Sequence, residues 1–137
     1  PELFFFTPLI AAMAGNVGVQ SSAIIVQGLA NNTIIGPVVE RLLKELSLSL
    51  LNGVILSVIL LAGSYFLLGY EIHVGYTVSI ALLSVIIMAS LIGTFIPIIL
   101  NKYGVDPALA TGPFITTSND ILGILTYFTI AKIILGI

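Results

Sequence analysis

Cysteine is absent from these 137 residues, which excludes disulfides and thiolate-held metals. Charge is nearly absent: 7% of residues are Asp, Glu, Lys or Arg, where soluble globular chains carry about 25%. With 58% hydrophobic residues and a mean hydropathy of +1.23, too little polar surface remains to coat a water-soluble globule. The class is an integral membrane protein. A formal charge of -2 is too small to imply a nucleic-acid partner or an anionic-lipid patch. Long β-type alternation is missing, and the apolar runs exceed barrel-strand length, so helices are the available spans. No low-complexity tract divides the chain. It opens at Pro1 without an initiator Met or a basic leader, so no signal peptide is expected, and it reads as a piece excised from a longer protein.

Four apolar segments are present, at about 3–30, 46–69, 76–100 and 107–137. Each is long enough for a hydrocarbon core that needs about 20 helical residues. The expectation is one all-α membrane domain over residues 1–137, with four transmembrane helices. Pro37 suits a first helical position, and Glu40 with Lys44 and Arg41 with Glu45 form i,i+4 pairs. These place the start of the second helix on solvated turns. Arg41 and Lys44 lie in the connection 31–45, and Lys102 lies in 101–106, while the intervening loop carries Glu71 and His73 without Lys or Arg. The positive-inside rule puts 31–45 and 101–106 in the cytoplasm and both chain ends on the outer side of a plasma or inner membrane. Lys132 opposes this weakly and can snorkel. A cytoplasmic start for a longer protein then requires an odd number of upstream spans, most simply one.

The first and last segments are expected to be interrupted. In the first, Ala14-Gly15-Asn16-Val17-Gly18-Val19-Gln20-Ser21-Ser22 is rich in small and amide residues, and Ala12, Asn16, Gln20, Ala23, Gln27 and Ala30 share one helical stripe. Uncharged amides in hydrocarbon either hydrogen-bond across a packed seam or meet water. In the last, Asp106-Pro107 offers an N-cap with Pro at the first position. Gly112-Pro113 then breaks the pattern, because Pro113 cannot donate to the Leu109 carbonyl. Backbone freed at membrane depth survives only inside protein or beside a water-filled cavity, and Gly/Pro-interrupted spans point to transport sites.

Asp120 follows Pro113 by seven residues, about 10 Å along a helix and near mid-bilayer. A charge there is unfavourable by roughly 2.5–3.5 kcal/mol even on the lenient insertion scale. It is either a protonated or amide-bonded packing group or part of an ion pathway. Pro113, Thr116, Thr117, Gly123, Ile124, Tyr127 and Ala131 share its stripe, while Asn119 points about 100° away. Magnesium dehydrates reluctantly and is held through few carboxylates while keeping several waters. One carboxylate with hydroxyls, amides and freed carbonyls suits that demand, although a single Asp is a weak divalent site and these residues do not choose magnesium over other divalent cations. A two-fold dimer with its axis beside the last helix would bring two Asp120 groups to one double charge. The expected pore lining is Asn16, Gln20, Pro113, Thr117, Gly123 and Tyr127.

At these residues the chain resembles the transmembrane domain of the MgtE-type magnesium channels and transporters, related to a eukaryotic solute-carrier group. The resemblance rests on Pro8 with Gly15-Asn16-Val17-Gly18-Val19-Gln20-Ser21, and on Gly104-Val105-Asp106-Pro107-Ala108 with Gly112-Pro113-Phe114 through Asp120. It covers nearly the whole chain. It implies a homodimer of five-helix protomers in the lipid bilayer, with this chain supplying the second to fifth helices and cytosolic magnesium-sensing domains upstream. It also implies hydrated Mg2+ as the transported ion, bound by Asp120 with the Thr116 backbone carbonyl and the backbone of Gly112. Asp106 would then contribute to a regulatory site with the absent domain, or act only as an N-cap. Some members carry Asn at the position of Gly112, and an acid and an Asn at those of Ala12 and Val19, where this chain departs.

Two functions compete: a dimeric magnesium-selective channel, and a proton- or sodium-coupled divalent-cation carrier. An intramembrane aspartyl protease built on Asp106 and Asp120 is disfavoured by their separation, about 20 Å along a helix. No enzyme activity is expected. Glu71 and His73 read as solvated loop residues, and a lone His makes no metal site.

Overall fold

The computed structural model describes residues 2–31, 38–110 and 112–136, and the Pro37 helix-start expectation falls outside them. Helices dominate: α1 (Glu2–Phe5), α2 (Thr7–Ala30), α3 (Val38–Ala62), α4 (Ile72–Lys102) and α5 (Pro113–Leu135). A π-helical turn, Gly63–Leu67, ends α3, and a 3-10 turn, Pro107–Ala110, precedes α5. Among the described residues there is no strand. Four helices are long and apolar enough to cross a membrane: Thr7–Ala30, Glu40–Leu67, Ile72–Lys102 and Pro113–Leu135.

The helices are not equivalent. α2, α4 and α5 pack mutually, whereas α3 leans on α4. Half of the most apolar stretch of α4 is buried, against 17% for α3. α4 is therefore the central post. The core joins Ile10, Ala14 and Val17 of α2 to Val78, Ala81, Leu82, Val85, Ile86 and Ala89 of α4 and to Tyr127 of α5. α3 turns Leu51, Ile55, Val58 and Ile59 outward. In water that surface would be unstable; in hydrocarbon it is a lipid face, since lipid exerts no hydrophobic drive to cover it.

The last span is broken where Gly and Pro demand it. Asp106 Oδ1 accepts the Ala108 N–H at 3.0 Å, shaping the 3-10 turn. Gly112 then adopts φ 63° and ψ -135°, and α5 starts at Pro113. Only glycine reaches that conformation without a Cβ penalty.

The first span corrects the sequence-based expectation. α2 runs unbroken from Thr7 to Ala30, with Pro8 in its first turn; the discontinuity lies earlier, between α1 and α2 at Phe6. Gly15 and Gly18 do not open the helix because their missing side chains are used for packing. A Cβ on Gly93 of α4 would lie 2.5 Å from the Gly18 carbonyl oxygen and 3.1 Å from its Cα. Backbone approaches backbone there, as small residues permit in membrane helix pairs.

The charged start of α3 also differs from expectation. Among the described residues one ion pair is found, His73 Nδ1 to Glu71 Oε2 at 3.1 Å, at the exposed start of α4. The Glu40–Lys44 and Arg41–Glu45 pairs do not form. Glu45 turns inward instead, toward hydroxyls on α2 and α4.

Candidate cation site

α2 and α5 run antiparallel, and their register places the carboxylate. Ala14 of α2 meets Gly123, Gly15 meets Asp120 and Thr116, and Gly18 meets Asn119 and Ile115. Asp120 lies against the bare backbone of Gly15: a Cβ there would stand 2.8 Å from Asp120 Oδ1 and 3.4 Å from the Thr116 methyl. The Asp120 side chain is partly exposed, and among the described residues it makes no hydrogen bond or ion pair. A carboxylate within a membrane-length helix that reaches the surface of the chain without a partner is open to a ligand from outside the chain.

The surface beside it is polar. Ala12, Asn16, Gln20, Ala23, Gln27 and Ala30 are all exposed, so the amide stripe faces out of the helix bundle instead of sealing it. Pro113 and Thr117 of α5 are exposed as well, and Thr116 partly so. Asn16, Gln20, Asp120, Thr116 and Thr117 thus sit on adjoining faces of an α2–α5 pair. Gly123 and Tyr127 do not join them. Both are buried, Gly123 against Ala14 and Val85, and Tyr127 with its hydroxyl donated to the Leu3 carbonyl at 2.7 Å. Their expected place on the pore wall is corrected: α5 turns this part of the Asp120 stripe into the core.

The backbone groups near Asp120 are partly used. The Gly112 carbonyl accepts the Thr116 N–H at 3.0 Å, closing the first turn of α5 and keeping a lone pair. Asp106 is exposed and serves its turn, remote from Asp120 in sequence. Among the described residues there is no cluster of three or more His, Cys, Asp or Glu to cage a bare metal ion. The donor set is one carboxylate, hydroxyls, amides and carbonyls, which fits a cation that keeps its water.

Sequence reasoning missed two residues. Asn119 is fully buried, and neither its Oδ1 nor its Nδ2 has a partner. Its direction away from Asp120 was readable, but its burial against Gly18 was not. Glu45 accepts hydrogen bonds from Ser21 at 3.0 Å and Ser90 at 2.8 Å. The available signal was its place at the very edge of the apolar run beginning at residue 46.

Four helices of bilayer-spanning length, with a polar stripe on the outer surface and an unpartnered carboxylate beside it, define a polytopic membrane domain. The model of the MgtE family, described as a divalent cation transporter, matches residues 7–130. The chain belongs to that family. It is 41% identical over 130 residues to the magnesium transporter MgtE of Bacillus subtilis, covering 94% of this chain and 29% of the relative. It is 37% identical over 133 residues to that of Enterococcus faecalis, with 95% and 29% covered. The Thermus thermophilus protein is 34% identical over 134 residues, with 97% and 29% covered. The chain therefore spans under a third of the length of these relatives.

Proposed function

We propose that this domain forms, as a homodimer, the pore of a magnesium-selective channel or transporter in which Asp120 binds hydrated Mg2+ near mid-membrane. The observation that carries this is the Asp120 carboxylate: partly exposed, unpartnered, and flanked by the outward amide stripe of α2. Two copies facing each other across a two-fold axis at the α2–α5 face would join two carboxylates on one double charge. They would also withdraw the amide stripe from lipid. Relatives named magnesium transporters make Mg2+ the first candidate for cargo. Thr116 and Gly112 would add backbone carbonyls, and Asn16, Gln20, Pro113 and Thr117 would wall the passage. Connections 31–45 and 101–106 would face the cytoplasm, close to sensor domains in the longer protein, where Asp106 would meet them.

The test is Mg2+ flux into liposomes carrying the full-length protein. Asp120→Ala and Asp120→Asn are expected to cut uptake by about tenfold or more, equivalent to roughly 1.4 kcal/mol, with unchanged elution on size exclusion. Uptake at the unsubstituted rate would contradict the reading. An imposed pH or sodium gradient is expected to leave the rate unchanged; a strong dependence would assign a coupled carrier instead.

A further inference from the structure

α2 and α3 do not pack on each other; an open cavity of about 340 Å³ lies between them, with Ile86 and Ser90 of α4 at its back. Its polar wall is Gln20, Ser21, Glu45, Ser49, Asn52 and Ser90. Glu45 crosses the gap. Its Oε1 accepts both the Ser21 and the Ser90 hydroxyl, which fixes the carboxylate. Oε2 has no bond among the described residues, and no ion pair neutralises the group. The Ser49 hydroxyl donates to the Glu45 carbonyl at 2.8 Å, keeping its own oxygen free to accept. Gln20 and Asn52 add exposed amides.

The rest of the lining is apolar and includes Leu51 and Ile55 of the outward face of α3; the polar side gathers acceptors around one carboxylate and holds no Lys or Arg, so it favours a cation over phosphate or carboxylate ligands. Six first-shell waters at about 30 Å³ each occupy about 180 Å³, well within the 340 Å³ available. We propose that the Glu45 cavity is a second divalent-cation site, holding the ion through its water shell. Ser21 follows Gly15 by six residues of α2, about 9 Å along the axis, so the cavity lies toward the C-terminal end of α2 from Asp120. Gln20 belongs both to the cavity wall and to the outward stripe, which links the two sites. A role as a second stop for the transported ion rests on the proposed transport function; binding at Glu45 does not.

The probe is Mn2+, whose free electron paramagnetic resonance signal falls on binding, titrated into purified full-length protein. Glu45→Gln is expected to remove one Mn2+ per chain, both in the unsubstituted protein and in an Asp120→Asn background, and Glu45→Asp to restore it. An unchanged count with Glu45→Gln in both backgrounds overturns the proposal. Asn52→Ala leaves the Glu45 bonds in place and is expected to weaken the same site several-fold, so it decides the matter if Glu45→Gln does not fold; unaltered affinity counts against the site. Displacement of that Mn2+ by K+ but not by choline at equal ionic strength would reassign the cavity to a monovalent ion. Loss of the Glu45 count with normal flux in Asp120→Asn would keep this site and remove the pore reading.

Discussion

At the scale of single residues, glycine acts here in two opposite ways. Gly93 has ordinary helical backbone and no room: an added Cβ would press on the Gly18 backbone, which cannot swing aside as a side-chain tip can. Gly93→Ala is expected to lower stability by about 1–3 kcal/mol, the range for overpacking, read as a drop in melting temperature in detergent. Gly112 has open space around it and the wrong backbone for any other residue. Gly112→Ala is expected to destabilise by about 1–3 kcal/mol through strain, or else to remodel the start of α5. The two variants are told apart by Mg2+ uptake after refolding at low temperature, since only Gly112 adjoins the turn before Thr116. A melting temperature unaffected by Gly93→Ala would mean that α2 and α4 stand further apart than described.

At the scale of elements, legibility followed locality. Four spans could be read because hydropathy over about 20 residues is a property of the segment alone. The break at Gly112-Pro113 was equally local, since proline removes its own N–H wherever it sits. The continuity of α2 was not legible, because Gly15 and Gly18 are compatible with a break or with close packing, and the side chains of Asp120 and Asn119 decide between them. Gly123 and Tyr127 failed for a related reason. A stripe on a helical wheel shows which residues share a face and says nothing of whether that face meets a neighbour or a passage. The amide stripe of α2 was read with both outcomes open, and it lies outward. Glu45 was assigned to a helix surface by its i,i+4 spacing to Arg41, whereas hydroxyls on two other helices hold it. A pairing that distant leaves no trace at short sequence separation.

At the scale of the whole molecule, the two sides of the chain differ. α3 presents Leu51, Ile55, Val58 and Ile59, a surface suited to lipid. The α2–α5 face presents amides and an acid, a surface suited to water or to its own copy. The proposed closure by two-fold symmetry would resolve the mismatch, because one patch would then cover itself. It also predicts where the metal sits. The most direct measurement is a density map of the full-length protein in Mn2+, with the metal located by its anomalous signal. One Mn2+ peak on the two-fold axis between the partner carboxylates of Asp120, at a water-mediated distance, is the expected result. Asp120 facing lipid with the metal elsewhere, or two copies joined through α3, would contradict it.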